Sequence, residues 1–438
     1  MATSTLPWLR PADPTPTLPG PFWKNIRRMR TDPIGMFSEA RDMGADVVRL
    51  RAGPINAYAL YSPDAVQRVL VAGAETTAKG TRGSRLLRRV LGEGLLTSEG
   101  DAWKARRRRS QPHFRRDAFA DLPAVVERHT IAQTDGWNGT TEVSAVTGRL
   151  ALGVVCEVLF GAPLDDRDAH EVGEALERIL AGFLWMITFP IEGVDRWPLP
   201  ASRRHRAAVD ALGGVVDRLV ARERARPGGP AGGLLRDWIA ATDRGEMSAP
   251  DLRSEVVTML LAGHETTAHA MAWTLGLLAQ HPEIQESIRR DLANGDLASL
   301  DRAVAESLRL YPPAWIVART CHDAMDLGSV TVPAGAFLFM PIAAWHRNPR
   351  LWVDADAFVP DRWIALDPSA KAVYMPFGAG QRKCIGEHFA RTEARVALGA
   401  MLRRYRFAPV AGRPMRAEAS VTLRPAAGIW LEITPSGV

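Results

Sequence analysis

The stretch from Phe377 to Gly386, FGAGQRKCIG, contains the side chain best suited to hold a metal, that of Cys384. We call this stretch the cysteine loop. Its glycines allow the backbone to turn tightly and to approach a flat ligand closely. Arg382 and Lys383 place positive charge beside the sulfur, which favours a thiolate, a good ligand for a soft metal ion. The alternative is a buried structural cysteine beside a glycine-rich turn, since isolated cysteines are usually inert core residues.

A second group of reactive side chains lies in the segment 262–267, which reads AGHETT. Gly263 and the paired threonines are poor helix formers, and glycine costs about 1 kcal/mol relative to alanine. A threonine hydroxyl can also bond back to the carbonyl four residues earlier and bend the helix. The resulting groove, with the acid Glu265 beside the alcohol Thr266, could bind oxygen and water. Alternatively, these two side chains form a buried polar pair that only satisfies backbone groups.

Both groups lie on or beside long predicted helices. Ser248 and Asp251 are N-capping residues ahead of an apolar run from Leu252 to Leu278, and the His-Pro pair at 281–282 ends this helix. Another helix is predicted over 385–402, directly after the cysteine. A thiolate near the N-terminus of that helix would be stabilised by its amide dipoles.

The rest of the chain also reads as mainly helical. A helix is predicted over 300–310, and residues 62–220 follow a 3.6-residue period. Glycine and proline in 226–233 predict a surface loop. Short β-strands are predicted at 47–50, 57–61, 315–320, 329–332, 336–340, 421–423 and 429–433. The expected fold class is mainly α with small β-sheets, in a single domain of residues 21–438 that follows an extended, proline-rich arm of residues 1–20.

The composition is that of a globular protein with a mildly basic surface. Of 438 residues, 46% are hydrophobic, and the formal charge is +6. Nucleic acid, an anionic membrane or an acidic protein could each explain a basic surface. Three widely spaced cysteines, Cys156, Cys321 and Cys384, predict neither a disulfide framework nor a zinc knuckle. Because no signal peptide or uncharged apolar run of transmembrane length is evident, we expect a cytoplasmic protein without a membrane span.

Several motifs together resemble those of the cytochromes P450. The cysteine loop matches the pattern FxxGxRxCxG of the family's haem-binding loop, and 262–267 matches its A-G-x-[D/E]-T-T segment. Glu306 and Arg309 match its ExxR motif, although alone they would read as a surface ion pair worth under about 0.5 kcal/mol. The resemblance implies the family's triangular single-domain fold, with Cys384 as the ligand of the iron in heme b (iron protoporphyrin IX).

The resemblance also implies a support for the cysteine loop. In the family, the ExxR pair locks together with the arginine of a later motif, which here is FVPDRW at 358–363. This implies structural roles for Glu306, Arg309 and Arg362. Trp363 stands where phenylalanine is more usual and reads as a minor packing variation.

Catalytic and haem-contacting residues follow from the same resemblance. Glu265 and Thr266 are implied to relay protons to bound oxygen, with His264 as a residue in the pocket or directly behind its wall rather than a metal ligand, and His113 and His346 as structural residues. The arginine run 106–109 could instead be a solvated basic face, on which only one or two side chains point at the haem. The residues implied to contact the haem are Trp103, Arg107, Arg319, Arg382, Phe377, Gly378, Gly386, Ala262 and Lys79.

The substrate pocket is predicted from bulky apolar residues on the segments that the family places above the haem. For any one of them, ordinary core packing is the alternative. As a set they favour a lipophilic substrate, such as a terpenoid, a fatty-acyl or a polyketide-like molecule. The candidates are Leu86, Leu87, Val90, Leu91, Leu95, Phe183, Trp185, Met186, Phe189, Leu261, Ala262, Ala314, Trp315 and Ile316.

The implied function is a monooxygenase that uses dioxygen and two electrons from a ferredoxin- or flavodoxin-type donor with its reductase. An acidic donor would explain the basic surface, whereas no nucleic-acid recognition motif is found. Frequent alanine, arginine and glycine suggest a bacterial source and a secondary-metabolite pathway. Two other functions stay open: a haem-thiolate peroxygenase, dehydratase or isomerase, and a non-catalytic haem sensor of small gases.

Overall fold

The computed structural model describes residues 15–161, 164–189, 191–226 and 233–436. The first fourteen residues of the predicted arm and residues 227–232 of the predicted loop lie outside these ranges. Where the arm is described, Leu18 is fully buried and its N–H donates to the Arg49 carbonyl at 2.9 Å. This part of the arm therefore runs alongside the first strand.

Helices account for most of the described chain, as the sequence predicts. The helix predicted over 300–310 begins two residues earlier, at Ala298. The helix predicted to follow the cysteine begins two residues later than expected, at Glu387. Within the described ranges the α-helices span Phe22–Thr31 (α1), Pro33–Asp42 (α2), Pro63–Gln67 (α3), Arg82–Leu91 (α4), Gly100–Ser110 (α5), Leu122–Thr134 (α6), Val143–Phe160 (α7), Asp166–Ala181 (α8), Phe183–Thr188 (α9), Pro200–Arg224 (α10), Leu234–Asp243 (α11), Ala249–Gln280 (α12), Pro282–Ala293 (α13), Ala298–Leu310 (α14), Ile342–Trp345 (α15), Pro368–Val373 (α16) and Glu387–Arg404 (α17).

The strands form small sheets at the two ends of the chain. They span Val47–Ala52 (β1), Ile55–Leu60 (β2), Thr77–Ala78 (β3), Gly139–Glu142 (β4), Val317–Cys321 (β5), Met325–Asp326 (β6), Thr331–Val332 (β7), Phe337–Met340 (β8), Tyr405–Pro409 (β9), Ala417–Ala419 (β10), Leu423–Pro425 (β11) and Trp430–Pro435 (β12). Five strands pair in the order β1-β2-β8-β5-β3 and three in the order β4-β12-β9, while β10-β11 and β6-β7 are two-stranded. The predicted hairpin is present, with Val47 opposite Leu60.

The helix α12 is the longest element and most of its side chains are buried, against α7, α10, α14 and α17. It begins as predicted, because Ser248 Oγ accepts the Asp251 N–H at 3.2 Å. Near its other end, Trp273 stacks on Tyr311 with 4.1 Å between ring centroids, and its indole N–H donates to the Leu423 carbonyl at 3.2 Å. These contacts fix α12 to the end of α14 and to the C-terminal hairpin β10–β11.

The helix α7 is the one helix of the described residues that is long and apolar enough to cross a membrane. It is 61% buried inside the fold, where it packs against α12. It also carries the charged residues Arg149 and Glu157. These are the properties of a core helix in a globular protein.

Candidate active site

A cavity of about 870 Å³ separates the middle of α12 from the cysteine loop. Its other walls come from α1, the β1–β2 turn, α4, α9 and the chain from 313 through β5. Cys384, Glu265 and Thr266 all line this cavity. The two groups of reactive side chains noted in the sequence therefore face the same space.

The backbone of the cysteine loop presents Cys384 to the cavity. The Cys384 N–H donates to the Phe377 carbonyl at 2.9 Å, and its side chain is exposed. The backbone N–H of Gly386 bonds to the sulfur and favours the thiolate. At Gly380, where φ is +68°, an added Cβ would lie 1.9 Å from the Leu70 carbonyl oxygen. Only glycine fits this turn, as the sequence predicts.

The charges around the sulfur differ from the prediction. Although the sulfur is open to the cavity, the surrounding protein desolvates it and raises the pKa of the Cys384 thiol; Arg107 and Lys383 lower this pKa, and the Lys383 ammonium also pairs with Glu387 at 2.7 Å. Arg382, expected to promote the thiolate, forms an ion pair with Glu99 at 2.5 Å instead. The prediction about Arg382 is therefore wrong in this respect. A bound metal cation would deprotonate the thiol directly.

A buried carboxylate holds the support behind the cysteine loop together. Glu306 and Arg309 are both fully buried, with two hydrogen bonds of 2.8 and 2.9 Å between them. Glu306 also accepts from Arg362 Nε at 2.8 Å, from the Val359 N–H at 3.1 Å and from Trp363 Nε1 at 3.0 Å. The reading of Trp363 as a minor packing variation is wrong, because its indole donates a bond that phenylalanine cannot make. We call these five residues the brace.

Aromatic residues connect the brace to the cysteine loop. The ring of Trp363 packs edge-on against Tyr374, with 4.4 Å between ring centroids. The Tyr374 hydroxyl donates to the Ala305 carbonyl at 3.1 Å. His346 is fully buried and its Nε2 accepts the N–H of Met375, two residues before the loop, at 3.1 Å. Burial lowers the pKa of His346 to about 3, so this histidine is a neutral structural residue.

Three cations converge on one side of the cavity. Burial lowers the pKa of Lys79 to about 7, and Arg319 and Arg382 add to this by repulsion. Burial lowers the pKa of Arg319 to about 10, with Arg382 again contributing. Arg382 also lies 4.1 Å above the Trp103 ring. Glu99 is the anion that favours their charged forms, and one carboxylate cannot neutralise three cations. The group is therefore suited to bind further negative charge.

Only one side chain of the arginine run 106–109 lines the cavity. Arg107 donates to the Lys383 carbonyl at 3.1 Å and so ties α5 to the cysteine loop. Arg106 instead pairs with Asp251 at 2.7 Å, and Arg109 with Glu246 at 3.9 Å, while Arg108 is exposed. His113 pairs with Asp237 at 2.8 Å, away from the cavity.

The middle of α12 presents its acid and alcohol to the cavity. Thr266 Oγ1 donates back to the Ala262 carbonyl at 2.6 Å, the bond predicted for a threonine in this helix. Glu265 is 6% exposed, and its Oε1 lies 3.6 Å from Nε2 of His269. His264 does not line the cavity but lies beside Gly148 of α7, so of its two predicted positions the structure supports the one behind the cavity wall. Burial lowers the pKa of His264 to about 4.

The predicted haem and pocket residues divide between the cavity and the core. All nine predicted haem-contacting residues line the cavity. Of the predicted pocket residues, those lining it are Leu87, Leu95, Phe183, Leu261, Ala262, Ala314, Trp315 and Ile316. The prediction is wrong for the others, which do not line the cavity: Leu86, Val90, Leu91, Trp185, Met186 and Phe189. Most of these pack into the core, whereas Trp185 and Phe189 lie against each other, with 5.1 Å between ring centroids, at the end of α9.

Sequence reasoning missed the β1–β2 turn and several further segments of the cavity wall, two of which show why. One is the face of α1 that carries Phe22, Ile26 and Met29, and the other is the turn 420–422 between β10 and β11. The amphipathic pattern of α1 indicates a buried face, but nothing local indicates that this face meets the cavity. Both segments reach the cavity through tertiary packing with distant parts of the chain.

The residues around the cavity fit a haem. Cys384 offers a soft ligand that is accessible from the cavity, and the glycines of the loop leave room for a flat group, since nothing lies within 4 Å of a Cβ added at Gly378. Lys79, Arg319 and Arg382 provide the positive charge that two propionates require. Buried cations without enough anions are costly, and bound propionates would remove that cost.

Comparisons with known proteins agree with this site. The family model described as Cytochrome P450 matches residues 14–431. The chain is 32% identical to a cyclooctatin synthase of Streptomyces melanosporofaciens, covering 86% of each chain, and 31% identical to a pentalenene oxygenase of Streptomyces avermitilis, covering 88% of each. A crystal structure of a 6-coordinated cytochrome P450 from Thermus thermophilus superposes with a TM-score of 0.75 at 29% identity, covering 93% of this chain and 99% of that one. This chain belongs to the cytochrome P450 family of haem-dependent monooxygenases.

Proposed function

We propose that this protein is a bacterial, cytoplasmic monooxygenase of secondary metabolism that hydroxylates a lipophilic small molecule, with terpenoids as the favoured substrate class. The observation that carries the proposal is that Cys384, Glu265 and Thr266 line one cavity whose other walls are mainly apolar. Relatives named as a cyclooctatin synthase and a pentalenene oxygenase support the choice of terpenoids. Fatty-acyl and polyketide-like molecules are the alternatives within the same lipophilic class.

The haem is heme b, with Cys384 as its iron ligand. Lys79, Arg319 and Arg382 hold its propionates, together with Trp103 and Arg107 on α5. The chemistry supplied by the bound haem is the reduction of dioxygen with two electrons and two protons, which inserts one oxygen atom into a substrate C–H bond and releases the other as water. The protein supplies the ligand, the protons and the pocket.

Glu265 and Thr266 handle the protons at the cavity. The Thr266 hydroxyl donates to the Ala262 carbonyl at 2.6 Å, so its oxygen is fixed, and Thr266 lines the cavity. The Glu265 carboxylate is nearly buried, and Oε2 has no hydrogen-bond partner within the described residues. A buried acid with a free oxygen is suited to pass protons through a water molecule.

The pocket selects its substrate mainly by shape. Leu87, Leu95, Phe183 and Leu261 offer no hydrogen-bonding groups, so a polyhydroxylated substrate would lose hydration without compensation. Apolar pockets orient a ligand through packing and a small number of polar contacts. This favours a hydrocarbon skeleton with few polar groups.

The electron donor is an acidic ferredoxin or flavodoxin that docks on the cysteine-loop side. The contact of Arg107 with the Lys383 carbonyl brings α5 and the cysteine loop to one surface. Arg108 and Lys383 are exposed there, and Arg115 is exposed nearby. Complementary charge steers such encounters and makes them sensitive to salt.

The test is turnover of the haem-loaded enzyme with an acidic ferredoxin, its reductase, NAD(P)H and a panel of terpenoids under ¹⁸O₂. We expect one ¹⁸O atom per product molecule, and about a 100-fold lower rate for Glu265→Gln. Glu174→Gln, which changes an exposed acid on α8, is the matched control and should retain the wild-type rate.

The other functions would give different results. A peroxygenase would incorporate oxygen from hydrogen peroxide without dioxygen or an electron donor. A dehydratase or isomerase would give products without ¹⁸O, and a gas sensor would give no product with any substrate. Each of these results would overturn the proposal.

A further inference from the structure

Glu265 has the cavity on one side and a histidine on the other. His269 follows it by four residues on α12, so the two side chains share one face of the helix. Glu265 Oε1 and His269 Nε2 are 3.6 Å apart. Glu265 lines the cavity, whereas His269 does not.

The gap between the two side chains suits a proton path. Glu265 Oε2 and His269 Nε2 are both buried without a hydrogen-bond partner within the described residues. A separation just beyond hydrogen-bond length is the distance at which one water or a small rotation completes a contact. The side chain of His269 is 16% exposed and is not among the residues that line the cavity. The histidine therefore reaches from Glu265 toward solvent.

Two other titratable groups near this part of α12 are poorer proton donors. His264 lies beside the Gly148 backbone of α7, and burial lowers its pKa to about 4, so it is neutral at physiological pH. Glu393 of α17 lies beside Thr267, is fully buried, and burial raises its carboxyl pKa well above the usual range. Glu393 has no exposed fraction that would connect it to solvent, and His264, which is partly exposed, is held in its neutral form by the low pKa.

We propose that His269 is the proton-supply residue of Glu265, a role that rests on the proposed relay function of Glu265. In each transfer the N–H bond at Nε2 of the imidazolium breaks and an O–H bond forms on the Glu265 carboxylate, directly or through one water. The neutral imidazole keeps its proton on Nδ1, and after the ring rotates toward solvent Nε2 takes up a new proton from hydronium; no electrons move in this step. A histidine suits this role because it gains and loses a proton near neutral pH.

The test is a set of glutamine variants in the haem-loaded enzyme, at saturating electron supply and with the same substrate in H₂O and D₂O. For His269→Gln we expect turnover to fall about tenfold and the solvent isotope effect on turnover to rise, because proton supply becomes rate-limiting. His281→Gln is the matched control, since His281 also lies near a glutamate, Glu283, at 3.5 Å but at the far end of α12. It should leave both quantities at their wild-type values.

The outcomes separate this inference from the function on which it rests. If Glu265→Gln is impaired but His269→Gln matches the wild type in rate and isotope effect, the role of His269 is wrong and the relay function of Glu265 stands. If Glu265→Gln itself matches the wild type, the relay function fails. If Glu393→Gln raises the isotope effect and His269→Gln does not, protons enter from α17 and the inference is overturned. His269→Asn replaces His269→Gln if the latter does not bind haem.

Discussion

The two sides of the cavity are held together by different kinds of ion pair. On the cysteine side, the brace buries Glu306 and Arg309 completely, and the Glu306 carboxylate accepts five hydrogen bonds. On the opposite side, α4 is joined to the segment after α9 by Arg85–Glu192 and Arg89–Asp195, each a bidentate pair with bonds of 2.6–3.0 Å. We call α9 and residues 191–197 the lid, because α9 covers the cavity.

The degree of burial determines how costly each ion pair is to break. Both side chains of Arg85–Glu192 are 39% exposed, so water competes with that pair and breaking it costs little, whereas Asp195 of the second pair is buried. Breaking the brace would leave a charge in the protein interior, which is far more costly. The brace therefore holds the haem ligand in a fixed position, whereas the exposed Arg85–Glu192 pair allows the lid to move.

The largest effect is expected from Glu306→Ala. This substitution leaves Arg309 buried without its carboxylate, which should cost about 3–5 kcal/mol in the free energy of unfolding. We expect little haem-loaded protein, measured as haem absorbance per chain. Glu286→Ala, which removes an exposed partner of Arg406, should cost under about 1 kcal/mol. Equal losses for the two variants would contradict the contrast between buried and exposed pairs.

The brace side should also be sensitive to acid through His346. Its pKa is about 3 in the folded protein and 6.5 in the unfolded chain, so the unfolded chain binds the extra proton between these values. The free energy of unfolding is therefore highest above pH 6.5 and decreases as the pH falls, by about 2 kcal/mol at pH 5. Denaturant unfolding of His346→Gln should lose less stability over this range. His170→Gln, on an exposed histidine, should follow the wild type.

A smaller effect is expected from Trp363→Phe. The substitution keeps the aromatic ring but removes the bond from Nε1 to Glu306 at 3.0 Å. A hydrogen bond to a charged group is worth about 1.5–3 kcal/mol, and we expect the lower end because Arg309 and Arg362 still hold the carboxylate. Trp23→Phe, at a 61% exposed position, is the control. An unchanged free energy of unfolding in Trp363→Phe would contradict a stabilising role for the indole N–H.

The smallest effect is expected from the lid. The variant Arg85→Gln removes the exposed bidentate pair with Glu192, and we expect a bulky azole to bind the haem-loaded enzyme about fivefold faster, which corresponds to about 1 kcal/mol. Stopped-flow absorbance would measure this rate. Salt should accelerate the wild type toward the variant, because it screens the pair. Arg178→Gln, in an exposed pair on α8, should not change the rate. An unchanged rate in Arg85→Gln would show that this pair does not limit access.

Much of the site could be predicted because its signals are local. The cap at Ser248, the back-bonded Thr266 and the glycine turn at Gly380 each depend on a few neighbouring residues, and all three are confirmed. The fold class follows from the long helical periods in the same way.

The wrong predictions concern tertiary contacts. Leu86 and Leu87 are neighbours on α4, yet only Leu87 lines the cavity. Successive helical residues point about 100° apart, and the sequence alone does not show which of the two directions faces the cavity. Arg382 meets Glu99, which is 283 residues away in sequence. The bond of Trp363 depends on Glu306, 57 residues away, so the sequence alone could not distinguish this residue from a packing variation.

The central claim is that Cys384 ligates the haem iron as a thiolate. The most direct measurement is the carbon monoxide difference spectrum of the dithionite-reduced protein, for the wild type and for Cys384→Ala. If Cys384 ligates the iron, the wild type shows a strongly red-shifted Soret band that is absent in the variant. A band typical of histidine-ligated haem in the wild type, or the same spectrum for both proteins, would contradict this claim.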